Sequence, residues 1–199
     1  LNSYLTIKQP GKSFIKDSNS KFYGFAYQVN DMDAMSAVLD EVKTQHPGAS
    51  HYCYAFILGH DGNEQRASDD GEPGNSAGQP ILRQILSLDV VNVLVVVVRF
   101  YGGKKLGIPG LIHAYGESAS LALADAETTV VEVSYQLIIR DIHKNDYLIY
   151  GFVKRYDGIL VEPSNTLGGN FVLSFPLRRR DELVEALKEL PNFDWSEED

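Results

Sequence analysis

The stretch "NVLVVVVRF", residues 92–100, holds six consecutive apolar residues, Val93 to Val98, between Asn92 and Arg99. It shows neither the 3.6-residue period of a one-sided helix nor the alternation of a half-buried strand. A short, unbroken, β-branched run bounded by polar residues reads as a strand covered on both faces. It therefore predicts the centre of a sheet with a layer on each side. The apolar run that begins at Val90 is interrupted at Asn92 and falls far short of the ~20 residues that span a bilayer.

Upstream, "QPILRQILSL" has Ile81, Leu82, Ile85 and Leu86 at helical spacing, with Pro80 suited to a first turn. Before it comes a polar, glycine-rich loop, "SDDGEPGNSAG". "HYCYAFIL" and "EQRAS" read as two strands joined through "GHDGNE", where Asp61-Gly62 supplies a positive φ. Earlier still, "KFYGFAYQV" is a strand, and Met35, Val38, Leu39 and Val42 mark an amphipathic helix with Asp31 or Asp33 as its cap. Downstream, a second glycine loop, "YGGKKLGIPG", opens a helix in which Ala114, Gly116, Ser118, Ala119, Ala122 and Ala124 are small enough for close packing on a sheet. Both glycine loops precede helices.

From Val130 the pattern restarts as strand "VVEVSYQLII", helix "HKNDYLIYGFVKRY", strands "GILVEP" and "NFVLSFPL", helix "RDELVEALKEL" and an acidic tail "DWSEED". This β-α-β-β-α order predicts a small ferredoxin-like domain with its last strand short or missing. The fold class is α+β, with domains over 1–128 and 129–199. The 199 residues carry 18 Lys+Arg against 27 Asp+Glu, a net charge of −9. Up to residue 128 the count is 10 against 14, or −4; after it, 8 against 13, or −5. That argues against a protein that grips nucleic acid with its whole surface, so any polyanion contact is local. The single cysteine, Cys53, excludes an internal disulfide, and the first residues lack a signal-peptide pattern. A cytoplasmic protein without a membrane anchor is expected.

The first loop permits several chemistries. Gly74 to Gly78 matches the G-x-S-x-G of hydrolases, but Pro73 interrupts the strand that a nucleophile elbow needs. Ser76 reads better as the cap of the following helix, with Gln79 completing a capping box. Asp69, Asp70 and Glu72 have the oxygen chemistry to hold a divalent cation or act as acid and base, or they shape a turn. In the second loop Gly102 and Gly107 have P-loop spacing, yet Ile108 and Pro109 stand where Lys and Ser/Thr belong. Arg99, Lys104, Lys105 and a helix start remain, which suit a phosphate or carboxylate equally with plain solvation. If the two loops meet, the acidic one can pair with Arg99 and the lysines. His51, Cys53 and His60 lack zinc-site spacing; alternation puts His51 and Cys53 on one face, and Cys53 reads as a core residue. Arg178, Arg179 and Arg180 form a basic spot that suits either RNA or solvent. No metal or cofactor is expected.

Together, "SDDGEPGNSAGQPIL" and "NVLVVVVRFYGGKKLGIPGLIHAYGESA" resemble the signature of the YigZ/IMPACT family, over roughly residues 12–127 and including "HPGASHYCYAF". The resemblance implies an N-terminal domain like the second domain of ribosomal protein S5, then one like the C-terminal domain of a translational GTPase such as elongation factor G. It implies a setting in translation, with RNA, the ribosome or a translation-related protein as partner. The family's positions fall on Asp69, Asp70, Gly71, Glu72, Pro73, Ser76, Ala77, Gly78 and Pro80. They continue on Arg99, Tyr101, Gly102, Gly103, Lys105, Leu106, Gly107, Gly110, Leu111, Ala114 and Tyr115. His113 stands where arginine is frequent in the family, so an anion contact there would depend on pH. The resulting expectation is a non-enzymatic translation-associated regulator that binds through both loops, Lys104 and His113 included. The alternatives are a metal- or phosphate-dependent hydrolase built on Asp69, Asp70 and Glu72, and a module whose acidic surface docks a basic protein.

Overall fold

The computed structural model describes residues 2–140, 146–162, 171–189 and 194–198. The chain divides into two compact units, Tyr4–Val131, and Glu132–Asp199 with Leu1–Ser3. The first unit runs through β1 (Ser3–Gln9), β2 (Gly11–Asp17), β3 (Ser20–Gln28), α1 (Met32–Gln45), β4 (His51–Leu58), β5 (Glu64–Ser68), α2 (Gly78–Ser87), β6 (Val93–Phe100), α3 (Gly107–Asp125) and β7 (Glu127–Glu132). Five strands form an antiparallel sheet in the order β2-β3-β6-β4-β5, and β1 pairs with β7.

β6 is the central strand, and the reason is visible residue by residue. Val93, Val95 and Val97 pack with Ile81 and Ile85 of α2 and with Ala114, Tyr115 and Ala119 of α3. Leu94, Val96 and Val98 point the other way, onto Met35, Leu39 and Val42 of α1. With both faces covered, none of the six has any need to alternate with a polar residue. The ring of Phe22 from β3 meets Tyr115 edge-on at 5.2 Å, an arrangement aromatic pairs favour. Gly24 faces the same helix, where an added Cβ would sit 2.7 Å from the Ser118 carbonyl oxygen, which accounts for glycine at that point of the strand. Asp31 is the cap of α1, accepting from the Ala34 N–H at 2.7 Å.

In the second unit β8 (Ser134–Arg140), α4 (Asp146–Arg155), β9 (Ile159–Glu162), β10 (Phe171–Pro176), α5 (Arg180–Lys188) and β11 (Asp194–Glu198) follow in order. The sheet runs β11-β8-β10-β9, antiparallel throughout. Its core holds Leu137, Ile139, Ile149, Phe171, Leu173, Phe175, Leu183 and Leu187. Among the described residues no helix is long and apolar enough to cross a membrane.

Several expectations change here. The acidic tail supplies the last strand, which is short as one of the two expectations had it: β11, whose Trp195 pairs with Ile139 and packs on the core. The single strand expected from Val130 to Ile139 is two, β7 and β8, which meet at the buried Val133: β7 pairs with β1, whereas β8 pairs with β10 and β11, and the Leu177 N–H to Val133 carbonyl bond extends the β10–β8 pairing by one residue. The Arg178 to Arg180 spot carries little free charge. Arg178 binds Glu132 and Asp157 at 2.5 and 3.0 Å, Arg179 binds Glu182 at 3.0 Å, and Arg180 binds Glu197 at 2.5 Å. The outer ends of the expected helix (143–145) and strands (163 and 170) lie outside the described residues.

Candidate functional site

The first loop leaves β5 at Ser68 and enters α2 at Gly78. Its organiser is Asp69. One carboxylate oxygen accepts from Ala77 N–H (3.0 Å) and Gly78 N–H (2.9 Å), the other from Asn75 N–H (2.8 Å). Asp69 thereby satisfies the free donors at the start of α2, the part expected of Ser76. Ser76 is instead fully buried, its hydroxyl donating to the Pro73 carbonyl at 2.6 Å, and α2 has no side-chain cap at the adjoining position. A carboxylate with two acceptor oxygens spans three N–H groups, which one hydroxyl cannot do. Gly78 presses on β5 so closely that a Cβ would lie 2.6 Å from Ser68 N. Removing the organiser, as in Asp69→Ala, is expected to cost ~1–2 kcal/mol, read by urea unfolding; an unchanged midpoint would mean that the loop holds itself.

Asp70, at φ 42°, accepts from Tyr52 N–H at 2.6 Å, while its own carbonyl meets His51 Nδ1 at 2.8 Å. Gly71 turns at φ 85° beside the His51 ring. The chain then delivers Glu72 inward. Its Oε1 receives Arg99 Nη1 at 2.5 Å and the Tyr115 hydroxyl at 2.7 Å, and lies 3.8 Å from His51 Nε2. Arg99 and Glu72 side chains are 5% and 4% exposed. Arg99 Nη2 also reaches Ser20 Oγ at 3.3 Å, and its guanidinium lies 5.5 Å from the Phe22 ring centre and 5.4 Å from that of Tyr101.

The two loops therefore meet. They enclose a cleft of about 460 Å³ lined by His51, Glu72, Pro73, Arg99, Tyr101, Lys105, Leu106, Gly107, Ile108 and Leu111. Gly102 and Gly103 shape its lip: a Cβ on Gly102 would strike the Asn19 backbone at 2.1 Å, and Gly103 has φ 83°. Tyr101 is exposed at its edge and Lys104 beside it, and Gly110 of α3 packs on Leu106 at the cap position. Tyr115 and Ala77 lie in the core under the site. His113 stands apart on α3, with its Nε2 3.5 Å from Glu117.

His51 and Ile108 are not among the expected site residues, whereas Pro73, Leu106 and Leu111 of the apolar wall fall on positions named for the family. Strand alternation already put His51 on the Cys53 face, but nothing nearby in sequence announces Glu72 as its neighbour. Cys53 is wholly buried and its thiol donates to the Asp69 carbonyl at 3.0 Å. Burial, with the negative charge of Glu72 nearby, pushes the thiol well above its ordinary pKa. No group of three or more metal-ligating side chains occurs among the described residues.

This is a mixed α+β protein with a loop-walled cleft over a buried ion pair. The chain belongs to the family described as Impact N-terminal domain, which it matches over residues 18–123. It is 37% identical to IMPACT family member YvyE of Bacillus subtilis over 62% of this chain and 57% of that protein. It is 35% identical to IMPACT family member YigZ of Escherichia coli over 64% of each. The matched part thus spans less than two thirds of either relative. A crystal structure of a protein described only as hypothetical is similar over 98% of this chain and 97% of its own, at 26% identity and a TM-score of 0.78.

Proposed function

We propose that this chain is a non-enzymatic regulator in translation that takes its partner, an RNA strand, into the cleft between the two glycine loops. The observation that carries this reading is the commitment of the first loop's carboxylates, of Ser76 and of Cys53 to the fold. Asp69 holds three backbone N–H groups, Glu72 Oε1 takes both Arg99 and the Tyr115 hydroxyl, and Ser76 and Cys53 are buried and hydrogen-bonded. What faces outward is Tyr101, Lys104 and Lys105, an aromatic and two cations, which is the chemistry that meets bases and phosphates. The same commitments weigh against the hydrolase built on Asp69, Asp70 and Glu72. Family membership supports translation as the setting and the cytoplasm as the place. The strand order of each unit supports the S5 domain 2-like and ferredoxin-like assignments.

The test is co-sedimentation with ribosomes and RNA over a salt series, comparing the natural chain with Lys104→Glu/Lys105→Glu. Binding is expected to fall with salt, with the slope of log affinity against log salt reduced by about 2 in the double variant. No binding at any salt would remove RNA as the partner.

A further inference from the structure

We propose that the cleft contains a phosphate subsite at the first turn of α3, built to take the phosphate of one nucleotide whose base lies on Tyr101. The proposal rests on the RNA reading above and makes it specific. α3 is nineteen residues long, and its cap position, Leu106, offers no side-chain acceptor; no acidic residue lies in the first turn. Pro109 has no N–H, so the donors left over at this end are those of Leu106, Gly107 and Ile108. All three of these residues line the cleft. The dipole of a helix this long adds roughly half a positive charge there.

A second observation comes from the other side of the cleft. Arg99 is 4% exposed and lines the same space. Its Nη1 and Nη2 serve Glu72 and Ser20, but its Nε–H has no hydrogen-bond partner. A buried guanidinium donor without an acceptor is unusual in a native protein. Glu72, the one carboxylate lining the cleft, is already paired, so it offers an incoming anion little repulsion. Lys105 adds an exposed positive charge at the wall.

The remaining lining argues for more than a bare anion. Leu106, Ile108, Leu111 and Pro73 give the cleft an apolar side, and Tyr101 stays 47% exposed at its edge. A volume of about 460 Å³ is of the size that takes one nucleotide. Phosphate against the helix start and Lys105, on the side of the cleft that faces Arg99, with a base on the tyrosine face, matches the charge and the apolar surface of this lining.

The experiment is a backbone amide NMR titration of the whole chain with UMP, uridine, inorganic phosphate and an oligouridylate. UMP and phosphate are expected to shift the Leu106, Gly107 and Ile108 amides to saturation, and uridine to leave them in place. Lys105→Glu should weaken UMP by about tenfold or more through charge reversal at close range. Tyr101→Ala should weaken UMP while leaving phosphate unchanged. An oligouridylate tighter than UMP assigns the subsite to a strand, and equal affinity assigns it to a free nucleotide. The proposal is overturned if uridine and UMP act alike, if the shifts fall outside the cleft, or if Lys105→Glu binds UMP normally. UMP binding without ribosome binding would overturn the translation reading alone, and the converse would overturn the subsite alone.

Discussion

Arg99→Met is expected to lower the stability of the Tyr4–Val131 unit by ~3–5 kcal/mol, because it leaves a buried carboxylate without its cation. The Arg99 and Glu72 side chains are almost wholly enclosed, and with Arg99 gone only the Tyr115 hydroxyl would still donate to Glu72 Oε1. Adding Glu72→Gln to the same chain should recover much of the loss, since it removes the uncompensated charge rather than the packing. Urea unfolding gives the size of the effect, and hydrogen exchange at the amides of β6 assigns it to this unit. A cost below about 1 kcal/mol would be the behaviour of a solvated pair and would contradict the burial described for it.

The second large effect is alkaline. Burial pushes the Cys53 thiol and the Tyr115 phenol well above their ordinary ranges, and the charge of Glu72 adds to both. Each group thus has a higher pKa in the folded chain than in the unfolded one, so the stability it supports is full below the unfolded value and falls as pH rises toward the folded value. The unfolded values lie near ~8.5 for cysteine and ~10 for tyrosine. At about 1.4 kcal/mol per pH unit and group, Cys53 alone should cost the fold about 3 kcal/mol by about pH 11, with Tyr115 adding about 1 more. Cys53→Ala should remove the loss between about pH 8.5 and 10 while keeping that above it. If the variant and the natural chain lose stability in parallel, the thiol ionises inside the fold and this account fails.

The parts of the fold legible in the sequence are those whose cause is local. Val93 to Val98 can be satisfied only between two layers, and the β4–β5 turn declares itself through Gly59 and Gly62, both at positive φ. The parts that escaped depend on a partner far along the chain. β1 has no strong pattern of its own and is a strand because β7 lies beside it. β11 is short and acidic at a sheet edge, and only Trp195 marks its inward face. The site divides in the same way. Both loops were evident, but the Arg99–Glu72 pair exists because β4 and β5 carry the first loop to the end of β6, which no spacing rule contains. The cap of α2 differs from the expected Ser76 for a related reason. Rules for helix starts look to the adjoining residue, whereas Asp69 acts from the far end of the loop.

The place of β6 between β3 and β4 also governs how the unit can be made. On a ribosome the chain emerges from its N-terminus, so the β2–β3 and β4–β5 hairpins leave the exit tunnel while the strand that joins them is still inside. β3 and β4 are not neighbours, and each has one edge that only β6 can cover. Until Phe100 is free, the nascent chain therefore carries two open strand edges with aromatic residues at Phe22, Phe25 and Phe56, the features that invite wrong pairing between chains. A chaperone need, or a pause in synthesis, would fall in that interval.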